Sequence, residues 1–225
     1  MNKNHSAIRS PESHRKWIME LLVVFLGVTA GFLLNNWREQ QQEKKLEKKY
    51  LIRFLEDINS NIADLEKSIA SDSLWLSQAK PILLSMKDHT LPDSTKKPVR
   101  MIQRVSRLDL QTSTYEDITN SGNLNLIRDF ELKRKLTQYQ AAIEGTRFVE
   151  ESFYSYFSSF VMPFLMKNYD FLGDRFTEKK SITSPQFSNI FTGYYSLVVQ
   201  RRETYRELLK KSTDLRTFLS ATLNK

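Results

Sequence analysis

The 225-residue sequence contains no cysteine, only three histidines, and six each of glycine and proline. Lack of Cys excludes disulfides, thiolate catalysis, Cys-based zinc sites and a lipid-modified N-terminal Cys. The histidines, His5, His14 and His89, show no metal-ligand spacing. No Gly-rich loop follows a strand pattern, so phosphate cradles and dinucleotide folds lack support. No Ser sits in a nucleophile-elbow pattern. The carboxylate pairs Glu56-Asp57 and Glu150-Glu151 are adjacent, so each splits across two helix faces and reads as solvated surface. These gaps predict a non-catalytic protein with no cofactor and no metal. The formal charge of +8 is spread among interspersed acids and bases, which argues against a nucleic-acid partner. The low Gly and Pro content favours long regular elements.

What is present begins with an apolar run. Residues 17–37 carry one charge, Glu20, and end on Trp17 and Trp37. A helix of about 21 residues spans roughly 31 Å, the thickness of a bilayer core. Indoles at both ends suit the headgroup boundaries, with Asn35 and Asn36 beside the second. Val28-Thr29-Ala30 would also suit signal-peptide cleavage, but Phe32-Leu33-Leu34 carries the run onward. The expectation is a single-pass anchor in membrane lipid. Glu20, one turn inside, either marks an intramembrane site or reaches back to the headgroups beside Lys16. Gly27 and Gly31 form a GxxxG pair, a face for helix–helix contact with another copy or a partner helix.

Orientation rests on flanking charge. The tail holds Lys3, Arg9, Arg15 and Lys16, and the other flank holds more bases, interleaved with Glu39, Glu43 and Glu47. Arg15 and Lys16 abut the apolar run directly, and long domains translocate largely regardless of charge. The expectation is a cytoplasmic N-terminus, with residues 38–225 outside the inner membrane. The basic run Lys44 to Arg53 would either lie on anionic headgroups or be a solvated helix face.

The remainder has helical periodicity. Leu51, Leu55, Ile58, Ile62, Leu65 and Ile69 step 4-3-4-3-4, a heptad seam predicting a helix to about residue 79, where Pro81 breaks or kinks it. Residues 89–98 read as a loop. Met101, Ile102, Val105 and Leu108 form the apolar face of a short helix. Another short helix covers Tyr115–Asn120, capped by Ser113 or Thr114 and ended by Gly122 in a left-handed turn. A second long helix starts after Asp129, with a seam from Leu132 through Thr146, Glu150, Phe153, Phe157 and Phe160 to Phe164, and Pro163 kinks or ends it. Pro185 opens a third, with the seam Phe187, Phe191, Tyr194, Val198, Arg201, Tyr205, Leu208, Ser212, Leu215 and Leu219. Three seams need one another for burial. The predicted fold is all-α: a transmembrane helix continuing into an antiparallel bundle of long helices. The predicted domains are a basic tail (1–16), the anchor (17–37) and the bundle (38–225).

The aromatic stretch 148–176 is either core packing, a ligand cavity, or a surface that dips into a membrane. Tyr154, Tyr156 and Tyr169 lie off its stripe as candidate exposed contacts. The Ser121-Gly122-Asn123 turn is a candidate anion or partner site, since a Gly turn exposes backbone N–H groups, or else simply a helix corner.

Asn35-Asn36-Trp37-Arg38-Glu39 after the apolar helix, Tyr115-Glu116-Asp117-Ile118, Ser121-Gly122-Asn123-Leu124 and Leu126-Ile127 together resemble an uncharacterised family of single-pass membrane proteins, chiefly from Bacteroidota. Its members carry an Asn-Asn-Trp-x-Glu motif after one N-terminal transmembrane helix, which implies a bacterial inner membrane. The resemblance covers most of the chain and implies topology, with no activity to carry over. The functional expectation is a membrane-anchored scaffold contacting itself or another membrane or envelope protein. The alternatives are a ligand-sensing bundle that signals through a partner, because sixteen N-terminal residues are too few for an output domain, or an enzyme with an unfamiliar site.

Overall fold

The structure is a computed structural model, which describes residues 11–87, 102 and 107–224. The chain divides into two compact units, Met1–Lys49 and Tyr50–Lys225. Helix α1, Pro11–Lys87, contributes to both.

In the first unit α1 holds the apolar run. It is the one helix, among the described residues, long and apolar enough to cross a membrane, and none of its apolar window is buried.

The second unit is a bundle of long helices, as the periodicity predicts. Its elements are the latter part of α1, α2 (Ser113–Asn120), a 3-10 turn (Asn123–Leu126), α3 (Phe130–Tyr156), a π-turn (Phe157–Val161), α4 (Met162–Asn168), the hairpin strands β1 (Tyr169–Asp170) and β2 (Arg175–Phe176), α5 (Lys179–Ile182) and α6 (Pro185–Leu223). Cross-helix contacts fix the directions. Asn61 of α1 meets Tyr139 of α3, and Glu150 of α3 meets Tyr205 of α6. Asp72 meets Arg201 and Trp75 meets Tyr194, while Phe153 meets Tyr194 and Phe164 meets Phe187. Helix α6 therefore runs antiparallel to both, which leaves α1 and α3 parallel to each other.

Local chemistry explains most boundaries. Asp129 caps α3 by accepting from the Leu132 N–H at 3.1 Å, and Ser184 caps α6 by accepting from Phe187 at 3.1 Å. Gly122, at φ 72°, ends the α2 corner in the left-handed region that favours Gly. The α6 seam is buried at every predicted position, Arg201 and Ser212 included.

Several expectations are corrected. Helix α1 does not stop at 79 but runs to Lys87 with Pro81 inside it. Pro81 and Ser77 both face solvent, so the carbonyl that Pro81 leaves without a donor can be hydrated, while Ala79, Ile82 and Met86 stay in the core. The N-cap of α2 is Thr112, not Ser113 or Thr114, and its side chain makes no cap bond. Asp57 of α1 does that work, accepting from the Thr114 N–H at 3.2 Å. Past Phe153 the α3 seam breaks at Phe160, with Phe157 half-buried, and resumes at Phe164, which is buried as predicted. The π-turn inserts one residue, so Val161 takes the buried place and Phe160 is exposed. Pro163 sits in the first turn of α4, where its missing N–H is tolerated. The predicted loop at 89–98 and most of the short helix at 101–108 lie outside the described residues. Of that helix Ile102 is buried, and residues 107–112 carry no regular structure.

The core forms two apolar clusters. One joins Tyr50–Leu65 of α1, Leu132–Ile143 of α3 and Tyr205–Leu219 of α6. The other joins Leu76–Met86, Phe153–Leu165 and Phe187–Val198, together with Tyr169 and Phe176 of the hairpin.

Candidate functional site

Between the two clusters each long helix places a polar residue in the core. Asp72 comes from α1, Glu150 from α3, and Arg201 from α6. Arg201 is only 4% exposed. Its Nε donates to Asp72 Oδ2 at 3.0 Å, and its second nitrogen donates to the other Asp72 oxygen, a two-point pair. A further guanidinium nitrogen lies 3.9 Å from Glu150 Oε1. The guanidinium also stacks 4.0 Å from the centre of the Phe153 ring. The Tyr205 hydroxyl donates to Glu150. Among the described residues every buried side-chain nitrogen and oxygen has a partner.

Burial dominates the electrostatics. It pushes the Asp72 carboxyl above its usual value, with the Arg201 hydrogen bonds and charge pulling the other way. Burial also works against the Arg201 charge, but the bonds to Asp72 outweigh it and hold Arg201 protonated. Burial raises both Tyr194 and Tyr205, and the Glu150 charge adds to the shift at Tyr205. A recess of about 60 Å³ beside Glu150, rimmed by Arg107, Asp109, Arg147 and Glu151, has room for a few waters. Glu150 is thus not the solvated surface that its pairing with Glu151 suggests. The sequence carried one sign of this layer: Glu150 and Arg201 fall on seam positions that are otherwise mostly apolar.

A second polar contact pins the segment ahead of α2. Asn61 donates to the Gln111 carbonyl at 2.9 Å and accepts from the Gln111 N–H at 2.7 Å, and it also donates to the Tyr139 hydroxyl at 3.0 Å.

The residues singled out from sequence fall as follows. Trp17 is 72% exposed and Trp37 62%. Asn35 and Asn36 are exposed, and Asn36 accepts from Gln40 at 3.4 Å. Space is open where a Cβ would stand on Gly27 or Gly31. The structure joins Ser121 and Asn123 to each other and to Tyr50 of α1: Asn123 donates to Ser121 Oγ at 2.9 Å and to the Tyr50 hydroxyl at 3.3 Å. The Ser121 and Gly122 N–H groups donate to the Asp117 and Thr119 carbonyls, so the turn spends these donors on its own chain. Tyr154 is exposed, Tyr156 is half-buried with its hydroxyl 3.2 Å from the Ile190 carbonyl, and Tyr169 is buried. The last is a correction: Tyr169 is core, not surface. Large apolar side chains that stay exposed in this unit include Phe130, Phe148, Phe160, Met166 and Leu172. Comparison with protein-family models, curated proteins and solved structures finds no match.

Proposed function

We propose that this chain is a non-catalytic, membrane-anchored helical scaffold that contacts a second copy or another membrane or envelope protein. The observation that carries this reading is the contrast between the two units. The apolar band at 17–37 is unburied on every side, while Tyr50–Lys225 closes two apolar clusters of its own. A band with no protein to cover it suits hydrocarbon. The proposal includes a bacterial inner membrane, a cytoplasmic N-terminus, and kinship with the Bacteroidota family that its Asn-Asn-Trp-x-Glu motif resembles. Exposed Phe130 and Phe148 on α3 support the scaffold reading over a sensor, since they offer contact area to a partner.

The test is photocrosslinking in native membranes, with a photoreactive residue in place of Phe148. The expected result is a discrete adduct to this chain or to one other protein. A chain released from the membrane by alkaline carbonate, or recovered without any protein adduct, overturns the proposal.

A further inference from the structure

We infer that the groove between residues 156–168 and the first turns of α6 binds a partner segment in polyproline II conformation, with a carboxylate three residues from a proline. The groove holds about 510 Å³. Tyr156, Phe160, Pro163 and Lys167 wall one side, and Gln186 and Asn189 of α6 wall the other. Three local departures from a plain helix meet on the aromatic wall. The π-turn adds one residue, which turns Phe160 outward, 56% exposed. The Phe160 ring lies against Tyr156, with centres 5.1 Å apart. Tyr156 in turn leans on a bare stretch of α6. Its hydroxyl donates to the Ile190 carbonyl at 3.2 Å, and a Cβ on Gly193 would overlap that hydroxyl. A glycine inside a helix weakens it relative to alanine. The π-turn, the exposed Phe160 and Gly193 each cost stability, and together they fix one aromatic ledge in place, the pattern of a functional surface.

The polar lining selects a carboxylate. Among the described residues the side chains of Lys167, Gln186 and Asn189 are exposed and have no hydrogen-bond or ion-pair partner, and no residue lining the groove is acidic. The acids next along the chain are engaged elsewhere: Asp170 with Arg175, Asp174 with Tyr169, and Glu178 with Lys180. Lys167 is therefore a cation open to an anionic group, and a charge-assisted bond to a carboxylate is its strongest contact.

The ledge and the amides select the backbone. Tyr156 and Phe160 make an aromatic-lined surface of the kind on which proline rings dock, and a polyproline II segment arrives already ordered. Its carbonyls have no internal partners, and the amides of Gln186 and Asn189 are donors for them. A helix would bring carbonyls already bonded, and a lipid chain would leave the amides unpaired. The spacing agrees. Seven residues from Phe160 to Lys167 cover about 10 Å along a helix. In polyproline II a three-residue step covers about 9.3 Å and returns to the same face. A proline on Phe160 thus sets a carboxylate three residues away beside Lys167. No proline in this sequence has an acid three residues to either side, which points to another protein as the source. The inference rests on the scaffold reading for the kind of partner and is independent of the anchor.

The test is fluorescence polarisation of a dye-labelled peptide, Pro-Pro-Pro-Pro-Glu-Pro-Pro, with the full chain in detergent micelles. A peptide with lysine in place of the glutamate is the reversed-charge control. The expected result is saturable binding of the acidic peptide with Kd below about 1 mM, and binding of the lysine peptide weaker by about tenfold or more. Phe160→Ala and Lys167→Glu, both at exposed positions, keep the circular dichroism spectrum and weaken the acidic peptide by about tenfold or more. Lys167→Glu also gains the lysine peptide, a swap that misfolding could not produce. No saturable binding up to about 1 mM, or unchanged affinity in Phe160→Ala or Lys167→Glu, overturns the inference. Binding of polygalacturonate instead of the peptide, lost in Phe160→Ala, also overturns it and leaves an acidic sugar as the occupant. Failure here leaves the Phe148 adduct as the measure of the scaffold reading, and a missing adduct at Phe148 leaves the peptide titration as the measure of this groove.

Discussion

Replacing Arg201 with Met tests the buried layer most directly. Arg201→Met keeps an unbranched side chain of similar reach against Phe153 but removes the guanidinium. Asp72, 4% exposed, then loses both hydrogen bonds to Arg201, and Glu150 loses its Arg201 contact but keeps the Tyr205 hydroxyl and the Leu108 N–H. Breaking a buried ion pair from one side costs about 3–5 kcal/mol, mostly through the stranded charge. The lost stacking on Phe153 adds roughly 1 kcal/mol, partly recovered by the Met sulfur. For a bundle of this size each kcal/mol moves the melting temperature by about 2–4 °C, so the variant should melt roughly 6–20 °C lower. Urea unfolding of the detergent-solubilised full chain, followed by circular dichroism, measures the change. Asp72→Leu combined with Arg201→Met removes both charges and should recover most of the loss, giving a large coupling in the double-mutant cycle. A loss below about 1 kcal/mol in Arg201→Met, or a double variant as unstable as the summed singles, refutes a pair held by mutual compensation.

Alkaline titration gives a second prediction. Tyr194 and Tyr205 are held protonated above the ordinary tyrosine value near 10, so the unfolded chain releases protons there that the folded chain keeps. Stability should fall as pH rises from about 10, and these two phenols should ionise only as helicity is lost; complete tyrosinate absorbance with intact circular dichroism refutes the shift. At the α2 corner, Gly122→Ala must adopt φ near 72° and should lower stability by about 1 kcal/mol in the urea midpoint. An unchanged midpoint would mean that the corner relaxes.

The legible parts of the fold were those set by local chemistry and unbroken periodicity. Pro185 after Ser184, and ten seam positions stepping 4-3 behind them, gave α6 completely. Asp129 announced α3, and Gly122 the α2 corner. The failures share a cause: each depends on a neighbour distant in sequence. Pro81 reads as a stop unless its exposed side is known. The α2 cap comes from Asp57, on another helix. The π-turn hides because Phe157 and Phe160 satisfy the seam better than Val161 does. Of the candidate sites, the apolar band was plain from hydropathy. Glu150 and Arg201 were visible as intruders on apolar seams, but Asp72 lay past the last seam residue read on α1. Tyr169 was misplaced because pairing across the hairpin, not helix periodicity, buries it.

The polar layer also bears on how a scaffold keeps its contact points in place. A heptad seam is nearly indifferent to a slip of seven residues, since Leu, Ile, Phe and Val meet one another at either setting. Asp72 and Arg201 remove that freedom. A seven-residue slip of α6 brings Tyr194 or Leu208 toward Asp72's place and leaves both charges buried without each other, at several kcal/mol. With one register, the exposed Phe148 of α3 and Phe160 of the π-turn keep fixed positions within this unit. The variant carrying both Asp72→Leu and Arg201→Met separates stability from register. It should regain most of the urea midpoint yet lose definition: weaker near-ultraviolet circular dichroism from Tyr194, Trp75 and Tyr205, and broadened methyl resonances at Leu65, Leu76 and Val198. A double variant with native near-ultraviolet bands and sharp methyl signals would show that apolar packing alone sets the register.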